Sequence, residues 1–242
     1  EALAAATARA ASAKLAHGAN ILVKKGDALI AFNTDGRGCV GYLERTGFSF
    51  DGAKVAICGT GPTALAILHA AAIAGVSEVL LLSRDKERAR EVLDRYVDEF
   101  GTLAHATVDL QAAVDGHRSF LTAYDETTFK FGSYTTSTQA IAAADLVINA
   151  TPLGMREGDP APFDVSLFHE GQRAFDVVYA HGETAFAAGA KAAGGTFADG
   201  GGMLVAQAVA TVQAVCDVSG IDCELSFDEL FEIMANAAGF NV

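Results

Sequence analysis

Residues 54–82 constrain the fold more than any other part of the chain. Lys54-Val55-Ala56-Ile57-Cys58 reads as a buried strand, and it runs into Gly59-Thr60-Gly61-Pro62-Thr63-Ala64. The apolar run from Ala64 to His69 then reads as a helix, and Glu78-Val79-Leu80-Leu81-Leu82 as a second strand. This is a strand–turn–helix–strand unit with G-x-G-x-x-A spacing. Gly59 permits the tight turn, Gly61 lets backbone approach a ligand, and Ala64 is small enough for close helix–strand packing. Pro62 suits a first helical turn, where its missing N–H costs nothing. The free N–H groups and the positive dipole end of such a helix form a site for a dinucleotide pyrophosphate. A structural glycine turn is the competing reading in a chain with 25 glycines, and the flanking strand and helix weigh against it.

The tip of the second strand bears on which dinucleotide. An Asp or Glu there suits a ribose 2′-hydroxyl, whereas Arg suits a 2′-phosphate. The chain reads Ser83-Arg84-Asp85-Lys86-Glu87-Arg88, with Arg88 one helical turn beyond Arg84. Two guanidinium groups can clamp a phosphate dianion, which favours NADP over NAD. Asp85 is open to two readings, a ribose ligand or an acid at a helix start.

Alternating strands and helices continue to the C-terminus. Strands are expected at 144–149 and 174–179, and helices at about 85–100, 183–193, 203–218 and from about Ser226. That pattern implies a doubly wound, Rossmann-like parallel sheet. Before it, residues 1–17 read as an alanine-rich helix. Asn20–Val23 and Ala28–Phe32 read as short strands joined by a hairpin turn, and 36–47 as a connecting helix. The expected units are residues 1–35, an NADP-binding domain (36–222) and a terminal helix (223–242) packing back on the first. Residues 101–136 lack clear periodicity and read as an insertion or extended loop, with room for a hairpin.

Composition narrows the partners. The 242 residues carry 30 Asp and Glu against 17 Lys and Arg, a net charge of −13. Such acidity argues against nucleic acid and anionic membrane as partners. No run of eighteen apolar residues occurs, so no membrane span is expected. Cys39, Cys58, Cys216 and Cys223 show no metal-ligand spacing, so no metal is expected, and their use fits a reducing, cytoplasmic setting.

Ligands in such sheets bind outside the carboxyl ends of the strands. Polar clusters fall there: Asn33-Thr34-Asp35-Gly36, Asn149-Ala150-Thr151-Pro152, Tyr179, and Asp199-Gly200-Gly201-Gly202-Met203-Leu204 leading to Gln207. Each alone has a structural explanation as a turn, a cap or a satisfied core amide. Together with Gly18-Ala19-Asn20, Asp145 to Met155 and Phe175 to Tyr179, and in this order, they make the chain resemble the shikimate dehydrogenase family. The resemblance runs through nearly the whole chain, and its Asn-Thr-Asp-Gly and Gly-Met-Leu-x-x-Gln pieces are the most specific.

The resemblance implies reversible, NADP-dependent reduction of 3-dehydroshikimate to shikimate by a monomer or homodimer. It places Asn20, Asp35 and Gln207 on the substrate's hydroxyls, with Tyr179 lining the pocket. Gly59, Thr60, Gly61, Pro62, Thr63 and Ala64 would cradle the cofactor, with Ser83, Arg84 and Arg88 at its 2′-phosphate. Thr151, Gly200 and Met203 would border its nicotinamide end. Asp35 would act with a lysine that the family carries just before the segment beginning here at Glu1. That lysine and an upstream serine pair have no match in the chain, so a fragment of a longer protein is expected, in which residues 1–35 would be the C-terminal part of a truncated substrate-binding domain. The alternatives are a quinate/shikimate dehydrogenase of broader specificity, a nucleotide-binding module without catalysis, and another dehydrogenase on the same cofactor domain. Ile21, Asp85 and Ala180-His181 depart from the family pattern.

Overall fold

Six parallel strands form the main layer, and the central ones, at 54–58, 78–83 and 146–149, are carried by short apolar runs. In a computed structural model that describes residues 2–106 and 118–240, the chain begins with α1 (Ala2–Ala5), β1 (Ala8–Arg9), α2 (Ala11–Leu15), β2 (Ile21–Lys25), β3 (Ala28–Phe32) and α3 (Asp35–Arg45). The cofactor-type unit follows with β4 (Lys54–Cys58), α4 (Pro62–Ala74), β5 (Glu78–Ser83), α5 (Lys86–Ala106), α6 (Phe120–Glu126), β6 (Thr128–Ser133), α7 (Thr138–Ala142) and β7 (Leu146–Asn149). It closes with β8 (Arg173–Asp176), α8 (Ala185–Ala192), β9 (Thr196–Asp199), α9 (Gly200–Ser219) and α10 (Phe227–Ala237).

The strand order is β6-β5-β4-β7-β8-β9, all parallel. Chain order reverses between β4 and β7, so a crevice opens there at the carboxyl edge. The register puts Leu82, Cys58, Asn149, Asp176 and Asp199 in one row along that edge. Helices cover both faces, and buried Val, Ile, Leu and Phe from β4, β5, β7 and β8 form the core with α3, α4 and α5. A second sheet, ordered β1-β3-β2, pairs β2 antiparallel and β1 parallel to β3. Its two-residue hairpin loop is Gly26-Asp27, with Gly26 at φ 58°.

Two expectations change. Residues 1–17 are not one helix, because Thr7 to Ala10 is extended and hydrogen-bonds Leu29 and Ala31 of β3. Pairing with a sheet edge outweighs the helix propensity of alanine. Nor is the 101–136 stretch an insertion with a hairpin. Helix α5 runs on to Ala106, α6 follows, and Thr128–Ser133 is the outer parallel strand paired to β5 throughout. An edge strand buries one face only, so β6 alternates exposed and half-buried residues over its first four positions instead of reading as an apolar run. The part of that expectation covering 107–117 falls outside the described residues.

Helix α9 is long and apolar enough to cross a membrane by length and composition alone, which the sequence reading did not anticipate. Half of it is buried inside the protein, where Val205, Ala206 and Val209 meet Leu230, Phe231 and Ala235 of α10. The terminal helix was expected against residues 1–35; its contacts run to α9 and, through Arg45 on Asp228 and Glu232, to α3. Helix α3 is wedged between α4 and α9. A β-carbon on Gly36 would overlap the Ala66 carbonyl, and one on Gly38 would lie 2.5 Å from Gln207 Cγ and 2.9 Å from its backbone nitrogen. This closeness brings Asp35, the first residue of α3, to the crevice.

Candidate active site

Asp35 is the centre of the first polar cluster. Its Oδ1 accepts from Asn20 Nδ2 at 2.8 Å and from Gln207 Nε2 at 2.7 Å, and its Oδ2 accepts from Thr63 Oγ1 at 2.8 Å. The loop before α3 sets this geometry. Asn33 Oδ1 accepts the Asp35 backbone N–H at 2.9 Å, and Asn20 Oδ1 accepts that of Thr34 at 3.0 Å. Asn33 also donates to the Gly18 carbonyl at 3.3 Å, tying down the segment that carries Asn20. Asp35 sits in the first turn of α3, where the helix dipole favours an anion. Burial nevertheless pushes its carboxyl above the ordinary value, and the hydrogen bonds from Thr63 and Asn20 draw it part of the way back. All three donors are neutral. Asn20 is exposed, so the cluster opens to solvent on that side.

The glycine turn lies beside it. Gly59 adopts φ 118°, and a β-carbon there would come 2.6 Å from the Ala150 carbonyl oxygen, so only glycine fits. A β-carbon on Gly61 would meet open space, so a ligand can reach the backbone there. Helix α4 starts with Pro62 and has no side-chain cap, which leaves its first-turn N–H groups free to meet an anion. Ala64 is fully buried. These features fit a pyrophosphate. At the tip of β5, Ser83 is half-buried while Arg84 and Arg88 are exposed, and Arg88 reaches Glu91 only at 4.0 Å. Asp85 accepts from the Glu87 backbone N–H at 3.0 Å, so it caps the start of α5, the second of its two readings.

A second polar cluster spans the ends of β7 and β8. Asn149 donates to Asp176 Oδ1 at 3.0 Å, and Thr184 Oγ1 donates to Asp176 Oδ2 at 2.9 Å. The Val178 backbone N–H completes the carboxylate's partners at 3.1 Å. Asp176 is completely buried, and desolvation pushes its carboxyl up to about 6 against the hydrogen bonds that oppose it. The Thr151 hydroxyl donates to Asn149 Oδ1 at 2.6 Å and accepts from the Leu153 N–H, so it shapes this loop. Tyr179, 40% exposed, stands on the loop after β8, close to the start of α9 at Gly200. Met203, by contrast, is buried in the core.

The structure therefore brings Asn20, Asp35, Thr63 and Gln207 into direct contact, and sets Thr151, Tyr179 and Gly200 along the same carboxyl edge. The sequence reading missed Asn33 and Thr34 as the residues that position Asp35 and Asn20, and missed the buried Asp176. Asn33 was legible as an Asx-turn residue two before Asp35. Asp176, inside the apolar run 174–178, was legible as a lone charge in a core strand.

No protein-family model matches the chain. Among curated relatives, the NADP(+) shikimate dehydrogenase of Moorella thermoacetica is 34% identical over 192 residues, covering 79% of this chain and 57% of the relative. That of Geobacter metallireducens is 29% identical over 196 residues, covering 81% and 61%. The chain thus spans about six tenths of the length of these relatives. Among solved structures, the 5-ketofructose reductase of a Gluconobacter species superposes with a TM-score of 0.69 at 26% identity, covering 97% of this chain and 74% of that one. The shikimate 5-dehydrogenase of Thermus thermophilus, solved with NADP(H) and shikimate, gives 0.69 at 23% identity, covering 98% and 74%, which shows the shared fold. Over the segment it spans, the chain is thus similar in sequence to curated NADP(+) shikimate dehydrogenases and shares the Rossmann-type fold of solved ones.

Proposed function

We propose that the protein carrying this chain is an NADP-dependent dehydrogenase that interconverts 3-dehydroshikimate and shikimate. The observation that carries the reading is Asp35: a partly buried carboxylate gripped by Asn20, Thr63 and Gln207 beside the glycine turn. The names of the curated relatives support the substrate and the cofactor. When bound, the nicotinamide cofactor exchanges a hydride with the substrate's reacting carbon. The chain's own residues have the remaining tasks. Asn20 and Gln207 present amides to substrate hydroxyls while holding Asp35. Asp35 keeps one acceptor position for the reacting hydroxyl, beside which the family resemblance places the ammonium group of a lysine. A carboxylate surrounded only by neutral donors suits such a cation, and the pair would manage the proton that a ketone oxygen gains on reduction. Tyr179 walls the pocket, and Arg84 and Arg88 hold the 2′-phosphate.

The test is turnover by the full-length gene product, with shikimate and quinate each offered with NADP and with NAD. Shikimate with NADP is expected to be the preferred pair. Asp35→Asn is expected to lower kcat by about a hundredfold or more, the scale of a lost acid–base group. Arg84→Ala is expected to weaken NADP much more than NAD. Equal losses for both cofactors would remove the 2′-phosphate assignment, and cofactor binding without turnover of either acid would favour a non-catalytic module.

A further inference from the structure

We propose that Thr63 is a positioning residue for Asp35, fixing its carboxylate so that a single acceptor position, on Oδ2, faces the substrate. The inference rests on the dehydrogenase reading above and assigns Thr63 a task beyond cradling a cofactor. A carboxylate offers about four lone-pair positions. Two on Oδ1 are taken by the amides of Asn20 and Gln207, and one on Oδ2 by the Thr63 hydroxyl. Both amides pull on the same oxygen, which leaves Oδ2 free to swing about it. The hydroxyl of Thr63 stops that swing.

The placement of Thr63 argues against a local role. Threonine near a helix start commonly bonds the backbone of its own turn. Here α4 has no side-chain cap, and the hydroxyl reaches a carboxylate 28 residues away in sequence. Thr63 also stands two residues after Gly61, in the first turn of the helix whose free N–H groups face the expected phosphates. One residue therefore ties the cofactor turn to the acid–base carboxylate.

The test compares wild type, Thr63→Val, Thr63→Ser and Asp35→Asn in the full-length protein. It measures kcat, the pH dependence of kcat/KM, NADP affinity, and the titration of Asp35 by carbon NMR in the cofactor-free protein. Thr63→Val is expected to lower kcat by about tenfold or more, as a lost hydrogen bond to a charged group would. The Asp35 titration is expected to move to higher pH, because the lost bond favoured the ionised form. NADP affinity should hold, because the glycine turn would meet the cofactor through backbone N–H groups and not through the Thr63 hydroxyl, and Thr63→Ser should restore both kcat and titration. Should valine crowd the turn and prevent folding, Thr63→Ala makes the same comparison. An unmoved titration with unchanged kcat, while Asp35→Asn is inactive, overturns the role of Thr63 and leaves the dehydrogenase reading standing. Loss of NADP affinity with an unmoved titration makes Thr63 a cofactor contact and also overturns it. Full turnover by Asp35→Asn overturns the dehydrogenase reading, and the catalytic meaning of Thr63 with it.

Discussion

Asp176 occupies a position that costs the protein stability at neutral pH. It is fully buried, meets only neutral donors, and has its carboxyl raised from 3.8 to about 6. Folding raises this pKa, so the neutral acid is the form that the native state prefers. The stabilising contribution is complete below about pH 3.8 and is lost as pH rises through about 6. A shift of this size corresponds to about 3 kcal/mol. Asp176→Asn keeps the shape and the partners: its carbonyl accepts from Val178 and Asn149, and its amide can donate to Thr184. The variant is therefore expected to gain stability over wild type between pH 4 and 7. Urea unfolding across that range checks this, and parallel curves for the two proteins would refute it. At this scale the sequence displayed identities better than pairings. Asn20, Asp35 and Gln207 could be named from their motifs, and the structure joins them. That the Thr63 and Thr151 hydroxyls turn to Asp35 and Asn149 could not be read, because side-chain direction depends on neighbours distant in sequence.

At the scale of elements, the glycines of α3 matter more than its apolar residues. Gly38 lets α3 approach α9 until Gln207 can reach Asp35. Alanine at 38 would place its methyl against the Gln207 backbone nitrogen at 2.9 Å and the Met203 carbonyl at 3.1 Å, which only movement of a whole helix can relieve. The gain in helix propensity is at most about 1 kcal/mol, and overpacking costs about 1–3 kcal/mol. Gly38→Ala is expected to lower the melting temperature and, by displacing Gln207, to reduce kcat/KM. A variant with an unchanged melting temperature and rate would show that α3 and α9 are not set by this contact. Elements carried by a continuous apolar run, such as β4, α4 and β5, were legible from sequence. Those defined by a partner were not: β1 exists because β3 offers an edge, and β6 because β5 does.

At the scale of the whole molecule, strand order and site are one consequence of topology. The donors to Asp35 come from residues 20, 63 and 207, so the cluster exists only when the hairpin, the glycine turn and α9 have all assembled. The alternation of elements made the doubly wound sheet legible, and the motif order made the site legible, without revealing what it costs. The chain carries a net charge of −13, and burial pushes one of its carboxylates, Asp35, away from ionisation, with no charged hydrogen-bond donor among the described residues to offset it. On the dehydrogenase reading proposed above, such a group is maintained for function at the expense of stability. Asparagine at this position can still accept from Asn20 and Gln207 and donate to the Thr63 hydroxyl, without the charge. Asp35→Asn is therefore expected, besides its loss of about a hundredfold or more in kcat, to raise the melting temperature at neutral pH. Because folding raises the Asp35 pKa, this gain should shrink toward acid pH, where wild type is protonated too. Thermal unfolding of the two proteins at neutral and acid pH measures it. A lower melting temperature for Asp35→Asn at neutral pH would mean that the ionised carboxylate stabilises the fold, and the trade of stability for chemistry at this residue would be wrong.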